Sequence, residues 1–254
     1  MNAHYGLSRK PAGLGGRWLV PLVPSFKAKA DAKMRHLPKP PAEGGRLLDV
    51  GFGNGGFLKL ATEMGWQAEG IDFDPKAVAL AKARGLNVRC ASAAGLSAQN
   101  EQFDIITLSH VIEHVHDPIS LLKDSYRLLK PSGFLWIETP NIESFSAKRF
   151  EKNWRGLEPP RHLVLFNLPS MKSTLDKIGF VCINQKWSGM SSFSIYNASI
   201  ALELNSSPST LNGKMPNLES IIFEALDMMV SRKCYVTIIS RKLAIPFNGG
   251  FNGL

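Results

Sequence analysis

The chain of 254 residues is long enough for one large α/β domain, and its 44% hydrophobic and 20% charged residues are typical of a globular protein. No apolar run reaches the roughly 18 residues of a membrane span, and the first residues lack the apolar stretch of a signal peptide, so the expected compartment is the cytoplasm. The formal net charge is +9, and the first 46 residues carry nine Lys and Arg against two Asp and Glu. These numbers exclude a disordered or fibrous chain and place the basic charge in an N-terminal arm.

The N-terminal arm, residues 1–44, is predicted to lie apart from the main domain. Glycine and proline recur too often in residues 1–24 for regular structure. In residues 25–36 an apolar residue recurs at every fourth position, which predicts a helix that either covers the site as a lid or packs outside the sheet. Basic arms bind phosphates, nucleic acid or anionic membranes in some proteins and are solvated leaders in others, so both interpretations stay open.

Residues 47–58 form the stretch around which the chain is organised. An apolar run ending at Val50 predicts a buried strand, the glycines that follow predict a turn, and Phe57 begins a helical pattern. This arrangement offers backbone N–H groups and the positive end of a helix to a nucleotide that approaches the main chain closely. The glycine spacing also satisfies the dinucleotide pattern, so it does not by itself distinguish between cofactors.

Two carboxylates refine this prediction. Asp49 lies in the first strand, two residues before the first glycine, where a dinucleotide site usually has an apolar side chain, and it indicates a ligand with a cation near the turn. Asp72 ends the second strand and can accept hydrogen bonds from both hydroxyls of a ribose. Asp74 is followed by a proline, as in a helix N-cap, so a structural role is the competing interpretation there.

Strands and helices alternate after this stretch, which predicts a doubly wound α/β fold with a mostly parallel sheet and right-handed crossovers. The later predicted strands are 67–71, 87–90, 103–108, 133–138, 180–187 and 234–240. The predicted helices are 57–64, 76–84, 119–129, 168–178, 193–204 and 218–230. The cysteines at 90, 182 and 234 are widely spaced in apolar segments and form no C-x-x-C pair, so we expect buried thiols.

Two segments after the fourth strand are rich in polar chemistry. Residues 109–118 hold three histidines and two acids at a strand end, where open α/β sheets bind their ligands. His110 and His114 are four apart and could share a metal, but no third ligand is evident, so no metal site is predicted. Residues 154–163 combine Trp, Arg and His with loop-forming residues, which favours a functional loop over a passive connector that only packs on the sheet.

These motifs together resemble a known family. The run 47–55 resembles motif I of class I S-adenosylmethionine-dependent methyltransferases, and residues 70–72 resemble their ribose-binding strand end. Glu113-His114-Val115 with Asp117-Pro118 is similar to the branch that includes ubiquinone-biosynthesis O-methyltransferases and bacterial small-molecule and sugar methyltransferases, and so is the Pro159–His162 loop. The resemblance covers about residues 45–187. It implies a Rossmann-like sheet of seven strands, mostly parallel with an antiparallel last strand.

The resemblance also implies site residues and a cofactor, S-adenosyl-L-methionine. The implied cofactor-binding residues are Asp49, Gly51, Gly53, Asn54, Gly55, Asp72, Phe73, Ser92, Ser109 and His110. Residues 91–94 lack the acid that often contacts the adenine amino group, so Ser92 or backbone groups are expected to replace it. His162 and then His114 are the candidate catalytic bases, since histidine titrates near neutral pH.

The implied domain organisation is a methyltransferase core at 45–190 and, at 191–254, a helical insertion with the strand that completes the sheet. The implied reaction is methyl transfer to a small-molecule acceptor, phenolic, sugar or lipid-linked, most readily at a hydroxyl. Nucleic acid is not expected as substrate, because no base-flipping motif follows the fourth strand. Contact with a membrane surface through the basic arm or tail helices stays open. The competing functions are a nicotinamide-dependent oxidoreductase and a non-catalytic binding module with the same fold.

Overall fold

The computed structural model describes residues 34–96, 100–185, 192–209 and 235–243. Within them seven strands form one sheet in the order β3-β2-β1-β4-β5-β7-β6. The strands are β1 Arg46–Val50, β2 Gln67–Asp72, β3 Val88–Cys90, β4 Phe103–Ser109, β5 Leu129–Pro140, β6 Phe180–Gln185 and β7 Tyr235–Lys242. Strands β1 to β5 pair in parallel, and β7 runs antiparallel to both of its neighbours, β5 and β6. The predicted sheet with a reversed last strand is therefore confirmed.

Helices cover both faces of the sheet because apolar side chains alternate along its strands. Leu47 and Ile105 belong to one core cluster, whereas their neighbours Leu48 and Ile106 belong to the other. The helices are α1 Gly56–Glu63, α2 Pro75–Lys82, α3 Pro118–Leu128, α4 Phe145–Phe150, α5 Leu168–Ile178 and α6 Ser192–Glu203. Helices α1 and α2 pack on the first cluster and α3 and α5 on the second.

The chain winds outward in both directions from β1, which pairs with β2 on one side and β4 on the other. Ligands of open α/β sheets bind at such a switch point, beyond the carboxyl ends of the strands. The loop after β1 and the segment after β4 both begin there. A third apolar cluster of Phe150, Trp154, Ile195, Tyr196 and Tyr235 joins α4, the following loop, α6 and the start of β7 beside it.

Two predicted elements begin or end at other residues in the structure. Residues 34–36 form a turn, with positive φ angles of 52° at both Arg35 and His36, so the predicted helix does not reach its expected end there. The rest of that helix and the predicted helix 218–230 lie outside the described residues. Strand β5 begins at Leu129, directly after α3, four residues before its predicted start.

Cys90 is exposed rather than buried, because it ends the short edge strand β3. The buried-thiol prediction was thus wrong for this residue, and the side chains at 182 and 234 lie outside the part of the structure that is described. Across the described residues no helix is long and apolar enough to cross a membrane.

Candidate active site

The loop after β1 is held open by glycines in left-handed conformations. Gly51, Gly53 and Gly55 have φ angles of 67°, 58° and 73°, a region that side chains other than glycine rarely adopt. A Cβ on Gly51 would lie 2.4 Å from a methyl carbon of Val111, whereas one on Gly53 would meet no atom within 4 Å. The Asn54 side chain accepts the Gly56 N–H at 2.9 Å at the start of α1. The loop therefore leaves main-chain surface accessible at the switch point.

Asp72 and Phe73 lie across this loop at the end of β2. One oxygen of Asp72 accepts the Asp74 N–H at 3.0 Å, and the other lies 3.4 Å from the Gly53 nitrogen. Phe73 is 68% exposed, which is unusual for a large apolar side chain beside a cleft. Asp74 caps α2 through the Lys76 N–H at 2.8 Å, so the structural interpretation of this residue is confirmed.

Asp49 is completely buried and forms an ion pair with Arg35. Its Oδ1 accepts the Thr107 hydroxyl at 2.6 Å and an N–H of Arg35, whose guanidinium stacks over Phe57 with its carbon 3.9 Å from the ring centroid. Its Oδ2 has no hydrogen-bond partner among the described residues. Arg35 therefore supplies a cation at this carboxylate, a contact that sequence reasoning missed because the residue was counted only within the basic arm. The ligand cation near the turn stays a prediction.

Ser92 follows β3 and Ser109 ends β4, two strands that β2 and β1 separate, and both residues lie at the carboxyl edge of the sheet. The Ser92 hydroxyl oxygen accepts the Gly95 N–H at 3.1 Å and so caps a short 3-10 turn. Ser109 is the last residue of β4 and is half-buried beside Glu138 in the parallel register of β5. Both residues lie where the sequence placed them, although Ser92 already has a structural hydrogen bond.

His110 is the centre of a buried charge network. Its Nδ1 lies 3.1 Å from an oxygen of Glu113 and its Nε2 lies 3.5 Å from an oxygen of Glu138. Burial disfavours the charged ring, but hydrogen bonds and charge attraction from the two carboxylates outweigh it and raise the pKa of His110 to about 9. His110 is therefore an imidazolium at neutral pH that donates from both ring nitrogens.

Threonine hydroxyls complete the network around the two carboxylates. Thr139 donates to the second oxygen of Glu113 at 2.9 Å, and Thr237 of β7 donates to the second oxygen of Glu138 at 3.1 Å. Burial is the largest effect and opposes ionisation of Glu113, but the hydrogen bond and charge of His110, with further hydrogen bonds that include the one from Thr139, together lower the pKa of this carboxyl group. Both buried glutamates are thus paired, as buried charges must be.

His114 and His162 are in edge-to-face contact in the wall of the adjacent cavity, with ring centroids 4.7 Å apart and planes inclined at 65°. Each Nδ1 donates to a backbone carbonyl: His114 to Arg161 at 3.0 Å and His162 to Gly156 at 2.6 Å. These bonds place the exchangeable proton on Nδ1 and leave Nε2 as the acceptor. Burial lowers the pKa of His162 from its ordinary value of 6.5, so its ring is neutral at pH 7.

The cavity has a volume of about 620 Å³, within the range of small-molecule sites. It opens beside the network, since His110 and Glu113 line it together with both histidines, Arg155 and Glu158. The loop that carries His162 is anchored by Trp154, whose indole N–H donates to Ser146 at 3.1 Å. The predicted functional loop therefore forms one wall of a cavity at the carboxyl edge of the sheet.

Ligand atoms of Glu113, His114 and His162 lie within 4.8 Å of one another, and we call these residues the three-residue cluster. Such a set has the chemistry of a transition-metal site. The sequence offered His110 and His114 as the metal pair to consider and predicted no metal there; in the structure both ring nitrogens of His110 face carboxylates. The third member comes from a loop 48 residues after His114, so no local spacing could reveal it.

The sheet order, the reversed β7 and the glycine loop at the switch point define the Rossmann-like fold of class I methyltransferases. The chain belongs to the methyltransferase domain family, whose model matches residues 25–185. The resemblance drawn from the sequence motifs is therefore confirmed.

Individual methyltransferases are also similar to this chain in sequence or in structure. The chain is 37% identical over 105 residues to the ubiquinone biosynthesis O-methyltransferase of Xanthomonas oryzae, a match that covers 39% of this chain and 44% of the relative. The chain thus spans about half the length of the curated relatives it matches. A SAM-dependent methyltransferase structure from Thermotoga maritima aligns with a TM-score of 0.56 at 22% identity, covering 90% and 94% of the two chains.

A third protein has the same fold with a ligand bound. The phosphoethanolamine N-methyltransferase 2 of Haemonchus contortus, solved with S-adenosyl-L-methionine, aligns with a TM-score of 0.57 at 20% identity. That match covers 85% of this chain and 52% of the other. At these identities the solved structures establish the fold only.

Proposed function

We propose that this protein transfers the methyl group of S-adenosyl-L-methionine to a hydroxyl of a small-molecule acceptor. The observation that supports this most directly is that the glycine loop after β1 and a 620 Å³ cavity beside the segment after β4 both lie at the carboxyl edge of the sheet. The neutral His162 lies in the cavity wall. Membership of the methyltransferase domain family supports methyl transfer over a nicotinamide reaction. The similarity to ubiquinone biosynthesis O-methyltransferases supports an oxygen acceptor.

The residues around the glycine loop fit the proposed donor. Gly51 and Gly53 leave main-chain surface for its methionine part, and Gly55 is buried against Leu86, where it shapes the turn. The unpartnered Oδ2 of Asp49 would accept from the ammonium group, directly or through water. Asp72 would bind the ribose hydroxyls. The bound donor supplies an activated methyl group on a sulfonium.

The remaining donor contacts are assigned by position. The exposed ring of Phe73 and the Ser92 segment lie beyond β2 and β3, on the side expected for adenine. Ser109 and His110 follow β4 near the methionine part. Since both ring nitrogens of His110 engage carboxylates, its contribution there is charge and backbone geometry rather than a new side-chain hydrogen bond.

The chemistry needs alignment and a proton acceptor. Holding acceptor oxygen and methyl carbon in line can account for about 7–11 kcal/mol of the barrier without a covalent intermediate. His162 is the proposed base, because its Nε2 is unprotonated at neutral pH and its ring is fixed by Gly156. His114, the second candidate, presents its own Nε2 to the same cavity.

A donor-binding titration and a methyl-transfer screen test the proposal. Calorimetry with S-adenosylmethionine and with NADH should show binding of the first alone, and NADH binding in its place would support the oxidoreductase. Labelled donor is then offered with phenolic, sugar and lipid-linked hydroxyl acceptors. Transfer by wild type and by His116→Gln, but at least a hundredfold slower by His162→Gln, is expected. His116 is an exposed histidine of the same segment and serves as the control.

A further inference from the structure

Glu158 occupies an unusual backbone position next to His162. It follows the 3-10 turn Arg155–Leu157 with φ 33° and ψ 51°, a left-handed conformation that costs a residue other than glycine roughly 1 kcal/mol. Its carbonyl accepts the N–H groups of Arg161 at 2.8 Å and His162 at 3.2 Å. This tight turn folds the loop back, so that the carboxylate and the imidazole reach the same cavity.

Two arginines hold the carboxylate of Glu158 in place. Arg161 donates to Oε1 at 2.6 Å, and Arg155 donates to Oε2 at 2.7 Å. Burial disfavours ionisation, but the hydrogen bond and charge of Arg155, followed by the charge of Arg161, lower the pKa of this carboxyl group. Glu158 is therefore ionised and oriented, with its side chain only 17% exposed.

The Oε2 atom of Glu158 lies 3.6 Å from Nε2 of His162, the nitrogen that is free to accept a proton. Among the described residues, the other titratable groups acting on this ring are Glu113 and His114, both from the 3-10 turn after β4. Each oxygen of Glu113 already accepts a hydrogen bond, from His110 or Thr139. The charge of Glu113 raises the pKa of His162 more than the charge of Glu158 does, but Glu158 is the carboxylate within ion-pair distance of Nε2 in the described part of the chain.

We infer that Glu158 is a positioning residue that acts through His162: its carboxylate, 3.6 Å from Nε2, stabilises the imidazolium formed when Nε2 takes up a proton during methyl transfer. This inference rests on the proposed function. In the step, the acceptor oxygen bonds to the methyl carbon while the carbon–sulfur bond breaks, and its electron pair stays on sulfur as a neutral thioether. The hydroxyl proton moves to Nε2 of His162 and later leaves to water.

The kinetic test compares Glu158→Gln and Glu158→Asp with Glu151→Gln, an exposed glutamate of the preceding turn. Glu158→Gln should lower kcat about tenfold or more with KM nearly unchanged, because the charge acts in the transition state. Loss of the carboxylate lowers the pKa of His162 further, so the acid limb of kcat should move to lower pH. Glu158→Asp should restore part of the rate, and Glu151→Gln should match wild type.

A second readout does not require turnover. Carbon-13 NMR of the imidazole Cε1 in the full-length chain follows the titration of His162 in wild type and Glu158→Gln. A lower midpoint in the variant is expected. An unchanged midpoint, a change in KM alone, or a loss of rate without a pH shift would overturn the inference in favour of a structural or acceptor-binding role. If wild type binds donor but methylates no acceptor, the proposed function fails, and the NMR titration still shows whether Glu158 acts on His162.

Discussion

Replacing His110 with Gln removes the cation between two buried carboxylates. The resulting loss in the free energy of unfolding follows from the raised pKa of His110. A histidine that titrates at 6.5 when unfolded and at about 9 when folded contributes about 3 kcal/mol through its bound proton. Because the folded pKa is the higher one, this stabilisation is fully present below pH 6.5 and is lost as pH rises through about 9. The free-energy difference between wild type and His110→Gln should therefore be about 3 kcal/mol larger at pH 6 than at pH 10.

Urea unfolding followed by circular dichroism at pH 6, 8 and 10 measures this difference. Comparing the two proteins at each pH cancels the titration of lysines and tyrosines, which both share. His116→Gln, in which an exposed histidine of the same segment is replaced, should stay close to wild type throughout. An equal gap between wild type and His110→Gln at pH 6 and pH 10 would refute the charged-imidazole assignment.

Three further outcomes are expected. Asp72→Asn should weaken donor binding by roughly tenfold or more, since a charge-assisted hydrogen bond is lost, whereas Asp74→Asn, which alters only a helix cap, should bind donor normally by calorimetry. Gly51→Ala should abolish donor binding and destabilise the fold more than Gly85→Ala: both glycines have positive φ, but only at Gly51 does a Cβ collide with Val111. Transfer should survive EDTA if His162 acts as a base, and activity lost to chelator and restored by Zn²⁺ or Mn²⁺ would mean that the three-residue cluster holds a metal instead.

The parts of the fold that could be predicted from sequence are the local ones. An apolar run, its glycines and the following helix lie within residues 47–58, so pattern and turn chemistry suffice to predict them. The same holds for Asp74 and Asp117, which cap the helices that follow them. Each of these features depends on residues only a few positions apart.

The contacts between side chains of the site could not be predicted, because they depend on the register of the strands and on the topology of the sheet. Glu138 meets His110 since β4 and β5 pair with Ser109 opposite Glu138, and nothing in either segment alone specifies that alignment. Arg35 reaches Asp49 from outside the sheet. His162 reaches His114 through a loop whose path depends on the packing of Trp154 in the third apolar cluster.

The position of β7 has a consequence for how the molecule is made. This strand is the last of the seven in sequence, yet it lies between β5 and β6, and β6 pairs with no other strand in the described sheet. During synthesis β6 therefore emerges before the strand that connects it to the sheet. Because β7 also brings Thr237 to Glu138, the charge network of His110 is finished only when the C-terminal strand has docked. The network around His110 can therefore form in full only after the ribosome has synthesised and released β7.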